Sequence, residues 1–303
     1  MFIGISQVAN HKGEIMSVKL IKTVGKLCLG FSIFMLLATS ALADNGEFTV
    51  GTEVSYINYE EPGVMEQEGI MYGVYSKYNH DVGTPLVLDE LADIIGNFSS
   101  NSNLMFEGLF KFGQVDYESP VSGTLDDITD YMFEVRGMYG YNIPLASETT
   151  LKPYIGLGFR YLNDDSAGMR TSVGHYGYER ESNYLYLPIG LSTHTDIDED
   201  WSVGINLEFD VFLYGQQKSH LEDVSTSLNT IENDQNNGYG ARVSIELART
   251  SDKYDLVLEP FVRYWDIDDS STAVVTCGGT PCAVGYEPKN ESLDAGIRFG
   301  IRY

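Results

Sequence analysis

Apolar and polar residues alternate along ten segments of this chain, and the last of them, Leu293–Tyr303, shows the pattern without a break. Its odd-numbered positions are apolar or aromatic, and its even-numbered positions are charged or glycine. A period of two residues indicates a β-strand, because successive side chains of a strand point to opposite faces. The other nine segments are Phe48–Tyr59, Ile70–Tyr78, Leu104–Val115, Tyr131–Ile143, Leu151–Leu162, Tyr184–Thr193, Trp201–Leu213, Tyr239–Leu247 and Tyr254–Trp265.

The connections between these segments alternate between short turns and long polar loops late in the chain. Asp196–Asp200 is a short turn, whereas Asn163–Ser182 and Asp266–Asn290 are long. Outer-membrane barrels have short turns on one side of the membrane and long loops on the other. The long connection Asn79–Asn103 departs from this rule, and the helical spacing of Leu86–Ile95 within it predicts a short helix.

The closing segment resembles the last strand of bacterial outer-membrane β-barrels, which ends in an aromatic residue, most often Phe and here Tyr303. The resemblance implies an all-β fold: a transmembrane antiparallel up-and-down β-barrel of ten strands, with eight or twelve as alternatives. It also implies a Gram-negative cell outer membrane as the location, reached through the periplasm, and contacts with membrane lipid and lipopolysaccharide. The barrel assembly machinery is then expected to bind the Leu293–Tyr303 strand.

The N-terminal residues 1–43 are expected to be a secretory signal peptide. Lys19, Lys22 and Lys26 precede a short apolar run that ends in Ser40–Ala43, a cleavage-site pattern. Met16 would give a signal of ordinary length and is the better candidate for the true start. Residues 44–303 then form one domain, the barrel.

The strands of a soluble secreted β-sandwich would also alternate apolar and polar residues, but their outward face would be polar. Here the regular phase is apolar, while the opposite phase holds glycine and charged residues, which are poor core material. The sequence contains 21 tyrosines and 31 glycines. Tyrosine is common in the aromatic girdles of membrane barrels, and glycine is common in tightly curved strands. The pattern therefore favours the barrel.

Charge separates the predicted interior from the predicted loops. Without residues 1–43 the chain has 15 Lys and Arg against 43 Asp and Glu, which argues against nucleic acid binding. The inward phase of the strands, however, holds nine acids and nine bases, so the lumen is predicted to be narrow and closed by paired charges. These charges are Glu53, Lys77, Glu107, Lys111, Glu134, Arg136, Lys152, Arg160, Glu208, Asp210, Arg242, Glu246, Asp255, Glu259, Arg263, Asp294, Arg298 and Arg302.

Ser219, His220 and Glu222 are the candidates for catalysis, because a hydroxyl, an imidazole and a carboxylate can form a nucleophilic triad. Omptin proteases also have ten strands, and their site uses an Asp-x-Asp pair and an Asp-x-His pair in outer loops. The corresponding loops here offer Asp116-x-Glu118 and His220-x-Glu222, which depart from both pairs. Outer-membrane lipid A deacylases, which have His, Ser and Glu at their sites, match this sequence as weakly as the omptins do. We therefore expect His220 to have no catalytic role.

Acidic loops raise the question of metal ions. Asp196-x-Asp198-x-Asp200 begins like an EF-hand loop, but position twelve is Leu207 rather than Glu. Asp266, Asp268 and Asp269 crowd one strand end and are weak candidates for binding divalent cations. No cofactor motif is present, and no cofactor is expected.

Cys277 and Cys282 are predicted to form a disulfide, because a nearby pair in a secreted chain meets an oxidising compartment. The function expected from all of this is a structural or surface-interaction role for a small outer-membrane barrel with acidic surface loops. The alternatives are a small porin-like channel and an outer-membrane hydrolase.

Overall fold

The computed structural model describes residues 46–83 and 102–303. Within these residues, ten long antiparallel strands form a closed barrel, and four short strands accompany it. The strands are β1 Gly46–Glu61, β2 Met65–Gly83, β3 Ser102–Ser119, β4 Gly123–Tyr141, β5 Ile143–Ala146, β6 Thr149–Asp165, β7 Glu179–Asp196, β8 Trp201–Ser219, β9 Ile231–Gln235, β10 Gly238–Arg249, β11 Asp255–Ile267, β12 Ala273–Cys277, β13 Thr280–Gly285 and β14 Asn290–Arg302.

The barrel closes because the last strand pairs with the first. β14 lies between β11 and β1, and β10 lies between β8 and β11, so the hydrogen-bonded ring has no free edge. Two further backbone hydrogen bonds join the chain ends: Phe48 N donates to Tyr303 O at 3.0 Å, and Tyr303 N donates to Phe48 O at 2.9 Å. Closure pairs both edges of each of the ten ring strands, as a sheet in lipid requires.

The two ends of the barrel differ. The outer end carries the β1–β2 and β3–β4 turns and the loops at residues 166–178, 220–237 and 268–289. The inner end carries Gly46, Tyr303 and the short turns at residues 197–200 and 250–254. The β12–β13 hairpin stands in the last outer loop as a separate two-stranded sheet.

Apolar side chains form a band around the outside of the barrel. They are well exposed to the surroundings although they are large, and they come from every part of the ring, including Val54, Ile70, Phe112, Leu157, Ile189, Leu207, Val243, Val262 and Phe299. Strands β1 to β8 of the ring have 16 to 19 residues. A membrane-spanning strand needs only about 9–11, so the outer parts of these strands extend beyond the band.

The structure confirms the predicted fold and excludes the eight- and twelve-stranded alternatives. The strands are longer than predicted at their outer ends, where polar residues follow the apolar band. In β8, Leu213 and Tyr214 both point outward, a local irregularity that shifts the inward phase from Phe212 to Gly215. The predicted signal peptide and the predicted helix Leu86–Ile95 lie outside the described residues. No helix in the described residues is both long and apolar enough to cross a membrane.

Candidate functional site

The lumen carries a layer of buried charged side chains at mid-height. Glu53, which is 1% exposed, accepts hydrogen bonds from Arg263 at 2.5 Å and from Arg298 at 2.8 Å. Asp294 accepts from Arg263 at 3.0 Å and from the fully buried Lys111 at 2.5 Å. Each charge faces an opposite one, which is the condition under which ions can be buried at tolerable cost.

A second cluster in the same layer is built around Arg242. Its guanidinium donates to both carboxylate oxygens of Glu134, at 2.6 and 2.8 Å, and its Nε donates to Asp210 at 2.8 Å. Glu208 lies 3.1 Å from the same Nε and also accepts a hydrogen bond from Arg136. The planar guanidinium suits this arrangement because its donors form a fixed fork that matches a carboxylate.

A third cluster lies closer to the inner end. Lys77 donates to Glu259 at 2.6 Å and lies 3.7 Å from Glu246. Arg302 donates to Glu246 and to Asp255, both at 2.8 Å. The charged residues therefore continue from mid-height to the inner rim.

The eighteen charges predicted for the inward phase all lie on the inward face of the strands. Arg136 also pairs with Glu107 at 2.6 Å. Within the described residues, Arg160 and Lys152 are the inward bases that have no carboxylate within 4.0 Å. Arg160 instead lies over the ring of Trp265, 5.8 Å from its centroid.

An aromatic plug fills the lumen above the charged layer. It consists of Tyr184, Tyr186, Phe212, Trp265 and Ile267, all buried. The rings of Tyr186 and Trp265 meet edge to face with centroids 5.0 Å apart. Tyr186 is tied to the charged layer below, because its hydroxyl donates to Glu134 at 2.8 Å.

Two smaller apolar clusters occupy the opposite wall of the lumen. One joins four residues from β1 to β4, and the other joins three from β2 to β4; Leu162 packs against both the second of these and the aromatic plug. Their members are Ile57, Met71, Val115 and Ile128, and Tyr75, Leu109 and Met132. The alternation pattern did not predict this packing, because the inward phase was expected to hold charged residues and glycine.

A further polar layer lies in the lumen at its outer end. Arg180 donates to Glu61 at 2.7 Å and also to Glu287, which accepts from Tyr59 at 3.0 Å. These residues were missed because Glu61, Arg180 and Glu287 fall beyond the segments predicted as strands. The only available signal was the continued alternation of polar residues past the apolar band.

The inner half of the lumen holds a cavity of about 860 Å³. Its wall reaches the inner rim at Glu47 and His194 and ends at Arg136, Arg242 and Arg263 of the charged layer. Among the described residues, the inner half of the lumen thus contains this cavity, and the outer half contains the apolar clusters and the polar layer.

The three candidates for catalysis do not form a triad. His220 contacts Glu181 through Nε2 at 2.8 Å and Glu222 through Nδ1 at 3.3 Å, so both ring nitrogens face carboxylates. Ser219 is buried on the inward face of β8, whereas Glu181 lies on the outward phase of β7. The imidazole therefore has no nitrogen left to take a proton from Ser219.

Electrostatics at His220 also oppose a role as a general base. Burial lowers the pKa of His220, but its hydrogen bonds with Glu181 and Glu222 outweigh burial and leave that pKa raised. For Glu181, burial raises the pKa, and hydrogen bonds from His220 and Tyr161 lower it by more. The cluster is an ion pair that stabilises the charged imidazolium.

The two pairs compared with the omptin motif lie far apart. Asp116 and Glu118 are exposed on the outer face of β3, next to Glu68 and Glu66 of β2. His220 follows β8, and β4, β6 and β7 lie between β3 and β8 in the ring. The structure therefore brings together His220 and Glu222 but neither of them with Asp116 or Glu118.

The acidic loop Asp266–Asp269 is occupied by the protein's own donors. Lys289 donates from Nζ to Asp266 at 3.0 Å and from its backbone N to Asp269 at 2.6 Å. Within residues 46–83 and 102–303, no three His, Cys, Asp or Glu side chains are grouped so that they could hold a metal ion.

A disulfide joins Cys277 and Cys282 at the tip of the β12–β13 hairpin, with Cα atoms 5.8 Å apart. Gly278 and Gly279 form the turn, and both have positive φ angles, of 59° and 83°, which glycine adopts without steric cost. The hairpin is held to the neighbouring loop by Asn229, whose side chain accepts from Thr276 N at 2.6 Å.

No protein-family model matches this sequence, and no curated protein is similar to it in sequence. Solved structures are similar in fold. The outer membrane protease OmpT of Escherichia coli matches with a TM-score of 0.61 at 10% identity, over 86% of this chain and 97% of that one. The transport unit of the autotransporter AIDA-I of Escherichia coli gives 0.43 at 10% identity, over 90% and 97%, and the toluene transporter TodX of Pseudomonas putida gives 0.31 at 9%, over 86% and 90%.

The fold is that of the bacterial outer-membrane β-barrels. At 10% identity the similarity to OmpT concerns the fold alone.

Proposed function

We propose that this protein is an integral outer-membrane barrel with a closed lumen that acts at its outer surface, in a structural or surface-interaction role. The observation that supports this most directly is the aromatic plug above a layer of buried charges, most of which are paired. A general pore needs a continuous aqueous path, and the outer half of this lumen is packed with side chains.

The apolar outer band supports the membrane location. Large apolar side chains exposed around the whole ring would be costly in water and favourable in lipid. The proposal includes export by the 1–43 segment, assembly through the Leu293–Tyr303 strand and contacts of the outer band with lipid and lipopolysaccharide. The inner end, with Gly46, Tyr303 and the short turns, would then face the periplasm.

A permeability assay tests the closed lumen. Protein refolded into liposomes should give no swelling in a small sugar beyond that of empty liposomes, while a general porin reconstituted in parallel should swell rapidly. Swelling at a rate comparable to the porin would contradict the proposal.

A small channel is the second candidate, and the cavity of about 860 Å³ is the observation that favours it. An opening of the plug would connect this cavity to the outer end. The same liposomes therefore need a second measurement across a range of voltages, since a gated channel would conduct only in part of that range.

A further inference from the structure

Three turns at the outer end expose a valine each, and they are held together. Val64, Val121 and Val173 are 44%, 79% and 60% exposed. Ser119, two residues from Val121, donates from Oγ to the carbonyl of Val64 at 2.7 Å. We call these three side chains the valine patch.

The third turn is fixed to the second in the same way. Ser172 N donates to Thr124 O at 2.8 Å, and Thr124 N donates to Ser172 Oγ at 2.9 Å. A Cβ atom added at Gly123 would lie 3.2 Å from a methyl group of Val173. The valine patch is therefore carried by a hydrogen-bonded platform rather than by three independent tips.

Membrane lipid is not positioned to cover this patch. Along β2 the outward residues run from the apolar band, at Tyr72 and Ile70, through Glu68 and Glu66 to Val64 at the tip. Two rows of acidic residues thus separate the valine patch from the band. An exposed apolar patch that is set apart from the membrane and bordered by polar residues is typical of a protein interaction site.

The acidic residues beside the valine patch indicate that its partner is cationic. Glu60, Glu66 and Glu118 lie side by side on β1, β2 and β3, and all three are exposed. The row continues to Glu291, which pairs in register with Glu60. Like charges directly opposite each other on adjacent strands are unfavourable, so a cationic partner would relieve this repulsion.

This row keeps most of its charge free for a partner. Lys289 lies 3.4 Å from Glu291 at one end of the row. In the part of the chain that the structure describes, no Lys or Arg lies within 4.0 Å of Glu60, Glu66 or Glu118. Across the whole outer end, residues 58–68, 114–127, 163–182, 216–237 and 266–291 hold 21 Asp and Glu against four Lys and Arg.

The spacing of the Glu60–Glu66–Glu118 row indicates that the partner is a helix. Neighbouring strands lie about 4.8 Å apart, and side chains at i and i+4 on one face of a helix lie about 5–6 Å apart. A helix lying across β1, β2 and β3 could therefore place a basic side chain near each carboxylate, with its adjacent apolar face on the valines. A metal ion could neutralise the row but would leave the valines uncovered.

We propose that the valine patch and the Glu60–Glu66–Glu118 row dock a cationic amphipathic helix of a partner polypeptide. The proposal rests on the proposed function in one respect, that the outer end faces away from the cell. It does not depend on the closed lumen, so its failure and that of the closed lumen can be told apart.

The test uses the full mature chain refolded in lipid nanodiscs and a labelled synthetic peptide of about 18 residues, long enough for roughly five helical turns. The peptide carries Lys at i, i+4, i+7 and i+11 and Leu along the neighbouring stripe. A shuffled peptide of the same composition and a peptide with Ser in place of Leu are the comparison ligands. Fluorescence anisotropy gives Kd at low and at high salt.

Two double variants separate the apolar from the charged contribution. Val121→Ser with Val173→Ser, and Glu66→Gln with Glu118→Gln, should each weaken binding of the amphipathic peptide by about tenfold or more. Val284→Ser, at an exposed valine on the β12–β13 hairpin, and Glu199→Gln with Asp252→Asn, at exposed acids of the inner end, should leave Kd unchanged. The glutamine variants remove repulsion and should fold at least as well as the wild type.

The measurements distinguish specific docking of a helix from a non-specific acidic surface and from a cation site. Loss of binding in both double variants, with the shuffled and Ser-containing peptides binding weakly to the wild type, supports the proposal. Equal binding of all three peptides, or a valine variant that binds like the wild type, would overturn it in favour of a non-specific acidic surface. Displacement of the peptide by millimolar Mg²⁺ with no effect of the valine substitutions would equally overturn it, in favour of a cation site.

Discussion

At the scale of single residues, the lumen is organised by arginines that each bridge more than one acid. Arg263 joins Glu53 to Asp294, and Arg242 joins Glu134 to Asp210. Removing such a residue leaves carboxylates buried without their partner, which costs more than the pair itself contributes. The lumen should therefore be most sensitive where one side chain serves two partners.

Arg263→Ala should lower the free energy of unfolding by about 3–5 kcal/mol, because Glu53 and Asp294 remain buried and lose a counter-charge. Arg298→Ala should act in the same direction through Glu53. Urea unfolding of the refolded protein in micelles, followed by tryptophan fluorescence, gives the measurement.

Lys289→Ala is the matched control, since Lys289 pairs with Asp266 and Glu291 at the exposed outer end. Surface pairs contribute little to stability, so this variant should unfold with the wild type. Equal effects of Arg263→Ala and Lys289→Ala would show that the buried layer does not stabilise the barrel as described.

His220 provides a prediction about pH. Its pKa is raised in the folded protein, so the folded state binds the proton more tightly than the unfolded state. The stabilisation is fully present below the ordinary histidine pKa of about 6.5 and is lost as pH rises through the higher folded value. The stability difference between wild type and His220→Gln should therefore shrink with rising pH in that window, and a constant difference across it would contradict the ion pair with Glu181.

The same residue should be dispensable for any chemical activity. If the protein is found to hydrolyse peptides or lipid A, His220→Ala should retain that activity, because both imidazole nitrogens already face carboxylates. A protease or deacylase assay in which the wild type is active and His220→Ala is inactive would reverse this conclusion.

At the scale of elements, the aromatic plug depends on a close approach between β6 and β7. A Cβ atom at Gly158 would lie 2.2 Å from the ring of Tyr186, closer than any real contact. Gly158→Ala should therefore displace Tyr186 and lower the free energy of unfolding by about 1–3 kcal/mol, as overpacking does.

Gly137→Ala is the control for this substitution. Its added Cβ would lie 3.5 Å from the ring of Phe106, an ordinary contact, and the variant should be about as stable as the wild type. Thermal or urea unfolding of the two variants side by side decides the point, and equal stability would mean that the Tyr186 ring can move aside freely.

The β12–β13 hairpin is the other element with a clear test. Natively exported protein should resist alkylation of Cys277 and Cys282 until a reductant is added, because the two sulfurs are bonded. Cys277→Ser with Cys282→Ser should leave the barrel folded, since the hairpin is a separate two-stranded sheet, but should make the hairpin easier to cleave with protease. Labelling of both thiols without reductant would refute the bond.

The sequence predicted the strands well within the apolar band, where the outward side chains face lipid. It predicted them poorly at the outer ends, past this band. Ile70 and Phe112 mark β2 and β3 clearly, but Glu66 and Glu118 on the same strands look like loop residues, because water replaces lipid around them. The buried partners Glu61, Arg180 and Glu287 were missed for this reason. Period-two alternation also cannot reveal a plug, because Tyr184, Phe212 and Trp265 come from three strands that only the closed ring brings together.

At the scale of the whole molecule, the barrel is a stack of layers along its axis. From the inner end these are the cavity, the paired charges, the apolar and aromatic clusters, and the polar layer around Arg180. The outer end holds 21 Asp and Glu against four Lys and Arg.

Single-channel recording in planar bilayers is the most direct test of the closed lumen. The wild-type protein should give no stable conductance in the nanosiemens range at any moderate voltage. A variant with Tyr186→Ala and Trp265→Ala, which empties the centre of the aromatic plug, should conduct measurably more in the same bilayers. Stable nanosiemens openings of the wild type, equal to those of the emptied variant, would contradict the closed lumen.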